Sequence, residues 1–210
     1  MNSNRRLLIK QAAILSFALG VNANASKVKE KTINTDVDYR YSPQFYIGNP
    51  NAKTRIDFLY SVRCKDTRKF TKDILNDLVK SAYKSNELCI IFHHIVKQTD
   101  KELASAIELM NVSPDKYPYL MYSLLNWSGR KGKGIGIKRT KKFKKKLGYP
   151  NDGSFNSENA KLMLSVIRIH AEENGVIESP SVFINNKLHG MQLDREAFLT
   201  ILEDETGYIL

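Results

Sequence analysis

The chain has 210 residues, of which 42% are hydrophobic and 26% charged, and its formal charge is +11. A chain of this length buries a core without covalent staples, and its composition suits one globular domain with an embedded subdomain. Two cysteines exclude a disulfide scaffold.

MNSNRRLLIK opens the chain and QAAILSFALGVNANA follows. A basic start, an apolar run from Ala12 to Val21 and a small-x-small site at Ala23-Asn24-Ala25 predict a secretory signal peptide over residues 1–25, cleaved after Ala25. The run is too short for a permanent span; the alternatives are a retained anchor or a buried N-terminal helix. Arg5-Arg6-Leu7-Leu8-Ile9-Lys10 also looks like a twin-arginine signal, with Leu8 where Phe is common. Sec export stays open beside it. By either route the mature protein is expected in the periplasm, where disulfides persist.

Residues 26–46 are a polar lead-in without clear period. Gly48-Asn49-Pro50-Asn51 is a turn cluster. Arg55–Tyr60 reads as a strand with Ile56, Phe58 and Tyr60 on one face. From Asp66 to about Tyr83, apolar residues at helical spacing (Phe70, Ile74, Leu78) predict an amphipathic helix. Leu88–Val96 is apolar enough for an interior strand. Strand, helix and strand at this spacing predict a parallel βαβ unit with a right-handed crossover.

The chain then turns helical. Thr99 and Glu102 offer a capping box before Leu103, Ile107 and Met110. Further helices are expected over Asp115–Trp127 and from Ser157 to about Glu173. Ser181–Ile184, a turn at Asn185-Asn186 and Lys187–His189 read as a hairpin. Asp194–Glu203 closes as an amphipathic helix. The fold class is α/β.

This order resembles the DsbA-like branch of the thioredoxin superfamily. Gly48-Asn49-Pro50-Asn51-Ala52 looks like that family's approach to its first core strand. Ser61–Thr67 falls where the family carries C-x-x-C at a helix N-terminus. Gly175 to Lys187 (GVIESPSVFINNK) looks like its segment of small residue, cis-proline, strand and hairpin. The resemblance implies a thioredoxin-like fold with an inserted all-helical subdomain. Its first part would span residues 47–97, a helical insertion 98–172 with a basic loop at 129–150, and the second part 173–210. The family's second cysteine is replaced by Thr67.

A thiolate is the working nucleophile of such a site. A helix N-terminus favours the anion through unpaired N–H groups and the helix dipole. Arg63, Lys65, Arg68 and Lys69 add positive charge, and Asp66 opposes them. Cys64 is thus the candidate nucleophile; the alternative is a packed apolar residue. Thr67 can hydrogen-bond the sulfur but cannot resolve a mixed disulfide. Cys89 is not expected to do so either: it starts the second strand, whereas Cys64 follows the end of the first. His94 is a candidate for proton transfer, with a merely hydrogen-bonded strand-end histidine as the alternative. Ser179 and Pro180, by resemblance, present backbone groups to a substrate strand.

Arg130 to Lys146 holds ten Lys or Arg, and no acid occurs from Lys116 to Asn151. Glycines at 129, 132, 134 and 136 predict a mobile loop. It suits an anionic membrane surface or an acidic protein, or has no fixed partner. Nucleic acid is disfavoured for an exported chain. No metal constellation is visible, and no cofactor is implied.

Two functions follow as expectations. One is exported thiol-disulfide exchange through a single cysteine, by mixed disulfide with cysteine-containing envelope or secreted proteins. A small thiol or a redox partner would resolve it. The other is a redox-inactive binding module that uses the cis-proline groove or the basic patch.

Overall fold

The computed structural model describes residues 45–96, 100–131, 136–151, 156–189 and 194–210. The signal peptide, nearly all of the lead-in, Thr99 and residues 132–135 of the basic segment lie outside them.

A five-stranded mixed sheet organises these residues in the order β1-β3-β2-β4-β5. Its strands are β1 (Tyr46–Gly48), β2 (Thr54–Tyr60), β3 (Leu88–His94), β4 (Ser181–Ile184) and β5 (Lys187–His189). β2 and β3 run parallel, with Thr54 opposite Leu88 and Tyr60 opposite His94. The other pairings are antiparallel. The two parallel strands are central and covered on both faces, which is why they read as nearly unbroken apolar runs. Every residue of β3 is buried.

Gly48 explains the Gly-Asn-Pro turn. Its φ is +99°, and a Cβ there would sit 2.2 Å from the Leu88 carbonyl oxygen. Only glycine allows that approach. Asn49 then donates to Leu88 O through its backbone and to Asn86 O through its side chain. The turn is thereby fixed to the start of β3. At the far edge, Asn185 and Asn186 have φ of 46° and 71°. Paired positive φ is what a tight hairpin between twisted strands needs.

The crossover from β2 to β3 is one helical rod in three parts: α1 (Lys65–Phe70), a π-helical turn (Thr71–Leu75) and α2 (Asn76–Lys84). The Thr71 hydroxyl donates to Thr67 O at 2.8 Å. Such back-bonding competes with the backbone ladder and accompanies its local widening. Ile56, Phe58 and Tyr60 all face the main core with Ile74, Leu75, Leu78 and Phe198. Leu59 faces the other side, against Ala171 and Val176.

Between β3 and β4 lie four helices: α3 (Asp100–Met110), α4 (Tyr117–Lys131), α5 (Ile137–Leu147) and α6 (Ser157–Glu173). A last helix, α7 (Arg195–Thr206), follows the hairpin. α3–α6 thus lie between two strands of the same sheet, β3 and β4.

The expected basic loop at 129–150 is corrected. α4 runs on to Lys131, and residues 137–147 form α5. Charge masks the pattern: Thr140, Phe143 and Lys144 make the buried side of α5. Phe143 packs on Trp127, ring centroids 5.1 Å apart. Gly148 ends the helix in the left-handed region. The Lys144 ammonium is buried and donates to Glu108 O at 2.7 Å, Asn111 O at 3.1 Å and Asn151 Oδ1 at 2.5 Å. A lysine becomes a core residue when its donors are satisfied in this way.

Candidate thiol site

Cys64 is the N-cap of α1, with extended backbone at φ −71° and ψ 133°. Its N–H donates to Ser61 O at 3.1 Å, which closes the turn between β2 and α1. A second layer holds that turn. Ser61 Oγ donates to the buried Glu102 carboxylate at 2.8 Å and accepts from the Arg63 N–H at 3.3 Å. Glu102, expected to cap its own helix, instead reaches 41 residues back in sequence.

The thiol is half-buried, and its Sγ donates to Ser179 O at 2.9 Å. The Ser179–Pro180 peptide is cis. Antiparallel pairing carries Ser181 opposite Leu59, so the start of β4 lies beside the end of β2. That register brings Cys64 and Ser179, 115 residues apart in sequence, into contact. Cys64, Ser179 and Pro180 thus converge.

Thr67 sits where a second cysteine of a C-x-x-C motif would. It is fully buried, and its Oγ1 has no hydrogen-bond partner among the described residues. Its hydroxyl is a spare donor one turn into the helix that Cys64 caps.

His94 is placed at the expected end of β3 but not in the expected setting. Its ring stacks on Tyr60, with centroids 5.2 Å apart and planes 5° from parallel. Neither ring nitrogen has a partner among the described residues. Burial pushes its pKa down to about 3, so the ring is neutral at physiological pH. His93 points to the opposite face. Its Nε2 lies 2.8 Å from Asp57 Oδ1, and Arg55 grips the same carboxylate with two bonds of 2.9 Å. Burial alone would raise the Asp57 pKa; the bonds from His93 and Arg55 outweigh it and hold the carboxyl below its usual range. Sequence reasoning missed this cluster, although an acid inside RIDFLY was a visible signal: a buried carboxylate needs a partner.

A groove of about 550 Å³ opens beside the thiol. Ile95, Val96, Ala171 and Val176 give it an apolar lining, and Ser61 and Ser179 adjoin the cysteine turn. Ile177 stands at its edge, 92% exposed. Arg168 and Glu172 form an ion pair of 2.8 Å on the α6 side. Apolar walls beside a half-buried sulfur suit an extended polypeptide.

Cys89 is far from this site. It pairs with Arg55 at the opposite end of the parallel ladder, and both cysteines are free thiols. Burial pushes the Cys89 thiol up to about 11. Among the described residues, no group of His, Cys, Asp and Glu is placed to hold a metal ion. No helix among them is long and apolar enough to cross a membrane.

Comparison with known proteins agrees with this architecture. Residues 40–204 match a family model described as Thioredoxin. No curated protein sequence matches the chain. Among solved structures, the thiol-disulfide exchange protein alpha-DsbA2 from Wolbachia pipientis is 16% identical at a TM-score of 0.64, with 98% of this chain and 100% of that one covered. DsbA of Chlamydia trachomatis is 15% identical at a TM-score of 0.58, covering 80% and 94%. A periplasmic thioredoxin-like protein from Salmonella enterica serovar Typhimurium is 15% identical at 0.63, covering 78% and 90%. At these identities the likeness is one of fold.

Proposed function

The chain belongs to the thioredoxin family, and from that premise we propose that it is an exported thiol-disulfide exchange protein working through Cys64 alone. The observation that carries the reading is the contact of Cys64 Sγ with Ser179 O, beside a cis proline and an open groove.

The chemistry balances without a cofactor. The Cys64 thiolate attacks one sulfur of a substrate disulfide. The substrate S–S bond breaks, a Cys64–substrate disulfide forms, and the other substrate sulfur leaves as a thiolate and takes a proton from solvent. With no cysteine at position 67, resolution comes from outside the site. The released substrate thiolate attacks a second disulfide of the substrate, and the thiolate freed there attacks the substrate sulfur of the mixed disulfide and expels Cys64 as a thiolate, which gives net isomerisation with no change of oxidation state. A small thiol, attacking the mixed disulfide, frees Cys64 and leaves its own sulfur joined to the substrate.

Each neighbour has a role in this scheme. The N–H groups at the start of α1 stabilise the developing anion. Ser179 O holds the thiol before reaction, and the backbone around Pro180 aligns the substrate strand. The unpartnered Thr67 hydroxyl is available to the sulfur once the proton has left. His94, buried and neutral, is outside the mechanism. Residues 1–25 supply the export signal, and substrates are cysteine-containing envelope or secreted proteins in the periplasm.

A second reading is favoured by one observation, the threonine at the second-cysteine position: a redox-inactive module that holds extended polypeptide in the groove. Trapping separates them. Cells expressing the protein are quenched in acid, and disulfide-linked adducts are resolved without reductant. Adducts that vanish in Cys64→Ser support exchange; their absence under oxidising and reducing conditions alike would leave the binding module.

A further inference from the structure

We propose that the outer face of α5 is a docking surface for an anionic lipid bilayer. The proposal is independent of the thiol reading.

Helix geometry sorts the side chains of α5. At about 100° per residue, Lys138, Arg139, Lys141, Lys142, Lys145 and Lys146 fall within one arc of roughly 160°, and all six are exposed. Thr140, Phe143 and Lys144 take the opposite, buried side. Eleven residues make a basic strip roughly 16 Å long.

The strip is held rigidly outward. Lys144 is tied to two carbonyls at the end of α3, and Phe143 is tied to Trp127 of α4. The helix therefore cannot rotate its charges away from solvent. Its own segment offers no neutralisation, since no acid lies between Lys116 and Asn151. Among the described residues, the acidic contact to the face is that of Glu108, 3.8 Å from Lys141.

Charge complementarity requires an anionic partner, and the make-up of the face selects the kind. Protein interfaces deplete lysine from their cores and centre on aromatic anchors. This face is five lysines and one arginine, and its one aromatic ring, Phe143, is turned inward. Single-stranded nucleic acid is held by stacking on exposed rings, which α5 does not present. A bilayer needs neither. Its headgroups move laterally to match fixed cations, and each Lys or Arg near the surface adds a comparable increment. The arc itself is wholly cationic, and the two exposed apolar side chains of the helix, Ile137 and Leu147, lie outside it at the two helix ends, so binding is peripheral.

The test uses the mature protein, from Ser26 on, with two vesicle types, phosphatidylcholine alone and phosphatidylcholine with a minority of phosphatidylglycerol. We expect binding only to the anionic vesicles, falling steeply as salt shortens the Debye length. Lys138→Gln/Lys142→Gln/Lys145→Gln/Lys146→Gln should weaken it at least tenfold with unchanged circular dichroism. Lys141→Gln/Lys142→Gln should give an intermediate loss. Cys64→Ser should retain most of the binding. Equal binding by the quadruple variant, binding to neutral vesicles, or salt-independent binding would overturn the proposal. So would capture of polyglutamate without capture of vesicles, which would assign the face to an acidic protein.

Discussion

Cys64 and Cys89 belong to the same βαβ unit and have opposite surroundings. Cys89 is a strand residue, 1% exposed, paired with Arg55 at one end of the parallel ladder and with Gly48 across the antiparallel one. Cys64 lies just past the other end, where β2 has stopped and α1 has yet to begin. Strand interiors saturate the backbone and bury the side chain. Strand ends leave helix N–H groups, a neighbouring carbonyl and solvent within reach of the same sulfur. The reactivity proposed for Cys64 rests on its place in the topology rather than on residue type.

The largest effect expected is a change of kind. Thr67→Cys would give Cys64 a partner one turn away, so an internal disulfide between Cys64 and the introduced thiol should form and mixed disulfides should cease to accumulate. Mass spectrometry of the oxidised variant checks this. Persistence of the external adduct would mean that the threonine position does not set the mechanism.

Next in size is alkylation. A thiol with a pKa of about 11 is ionised about once in a thousand molecules at about pH 8. In the native protein, iodoacetamide should modify Cys64 at least about a hundredfold faster than Cys89. Peptide mapping over time reads both sites at once. Gly48→Ala should erode that contrast. Its Cβ would meet the Leu88 carbonyl at a positive φ, costing roughly 2–4 kcal/mol and loosening the cover of Cys89. A lower unfolding midpoint with faster Cys89 labelling is the expected pair of results.

The histidine beside Tyr60 gives a pH signature. The His94 pKa falls from 6.5 to about 3 on burial. Between these values the unfolded chain binds a proton that the native protein refuses. Native stability is then unaffected above about pH 6.5 and declines as pH drops toward about 3, by at most about 1.4 kcal/mol per unit from this group. His94→Phe should flatten that part of the acid arm without changing Cys64 alkylation. A smaller effect is expected of Glu102→Ala, which leaves buried Ser61 Oγ without its acceptor, at about 1–3 kcal/mol. It should slow Cys64 alkylation and leave Cys89 unchanged, whereas Glu102→Gln should restore the rate.

Much of this was legible in the sequence because local rules set it. The parallel pair came from apolar continuity in RIDFLY and LCIIFHHIV, and the hairpin from Asn185-Asn186. The placement of Cys64 followed from the strand preceding it and the helix following it. What was not legible depends on partners distant in sequence. Nothing near Glu102 indicates that it will hold Ser61, and Asp57, His93 and Arg55 meet only when β2 and β3 pair. In α5 the local rule itself misled. Glycines and lysines read as a loop, because the apolar face that makes the helix is two side chains and the stem of a buried lysine.

The most direct measurement of the central claim is reaction of the folded protein with a small aromatic disulfide, followed by intact-mass analysis of wild type, Cys64→Ser and Cys89→Ser. One rapid adduct is expected on wild type and on Cys89→Ser, reversed by an added small thiol, and none on folded Cys64→Ser. An adduct of equal rate on Cys64→Ser, or none on wild type, would contradict it.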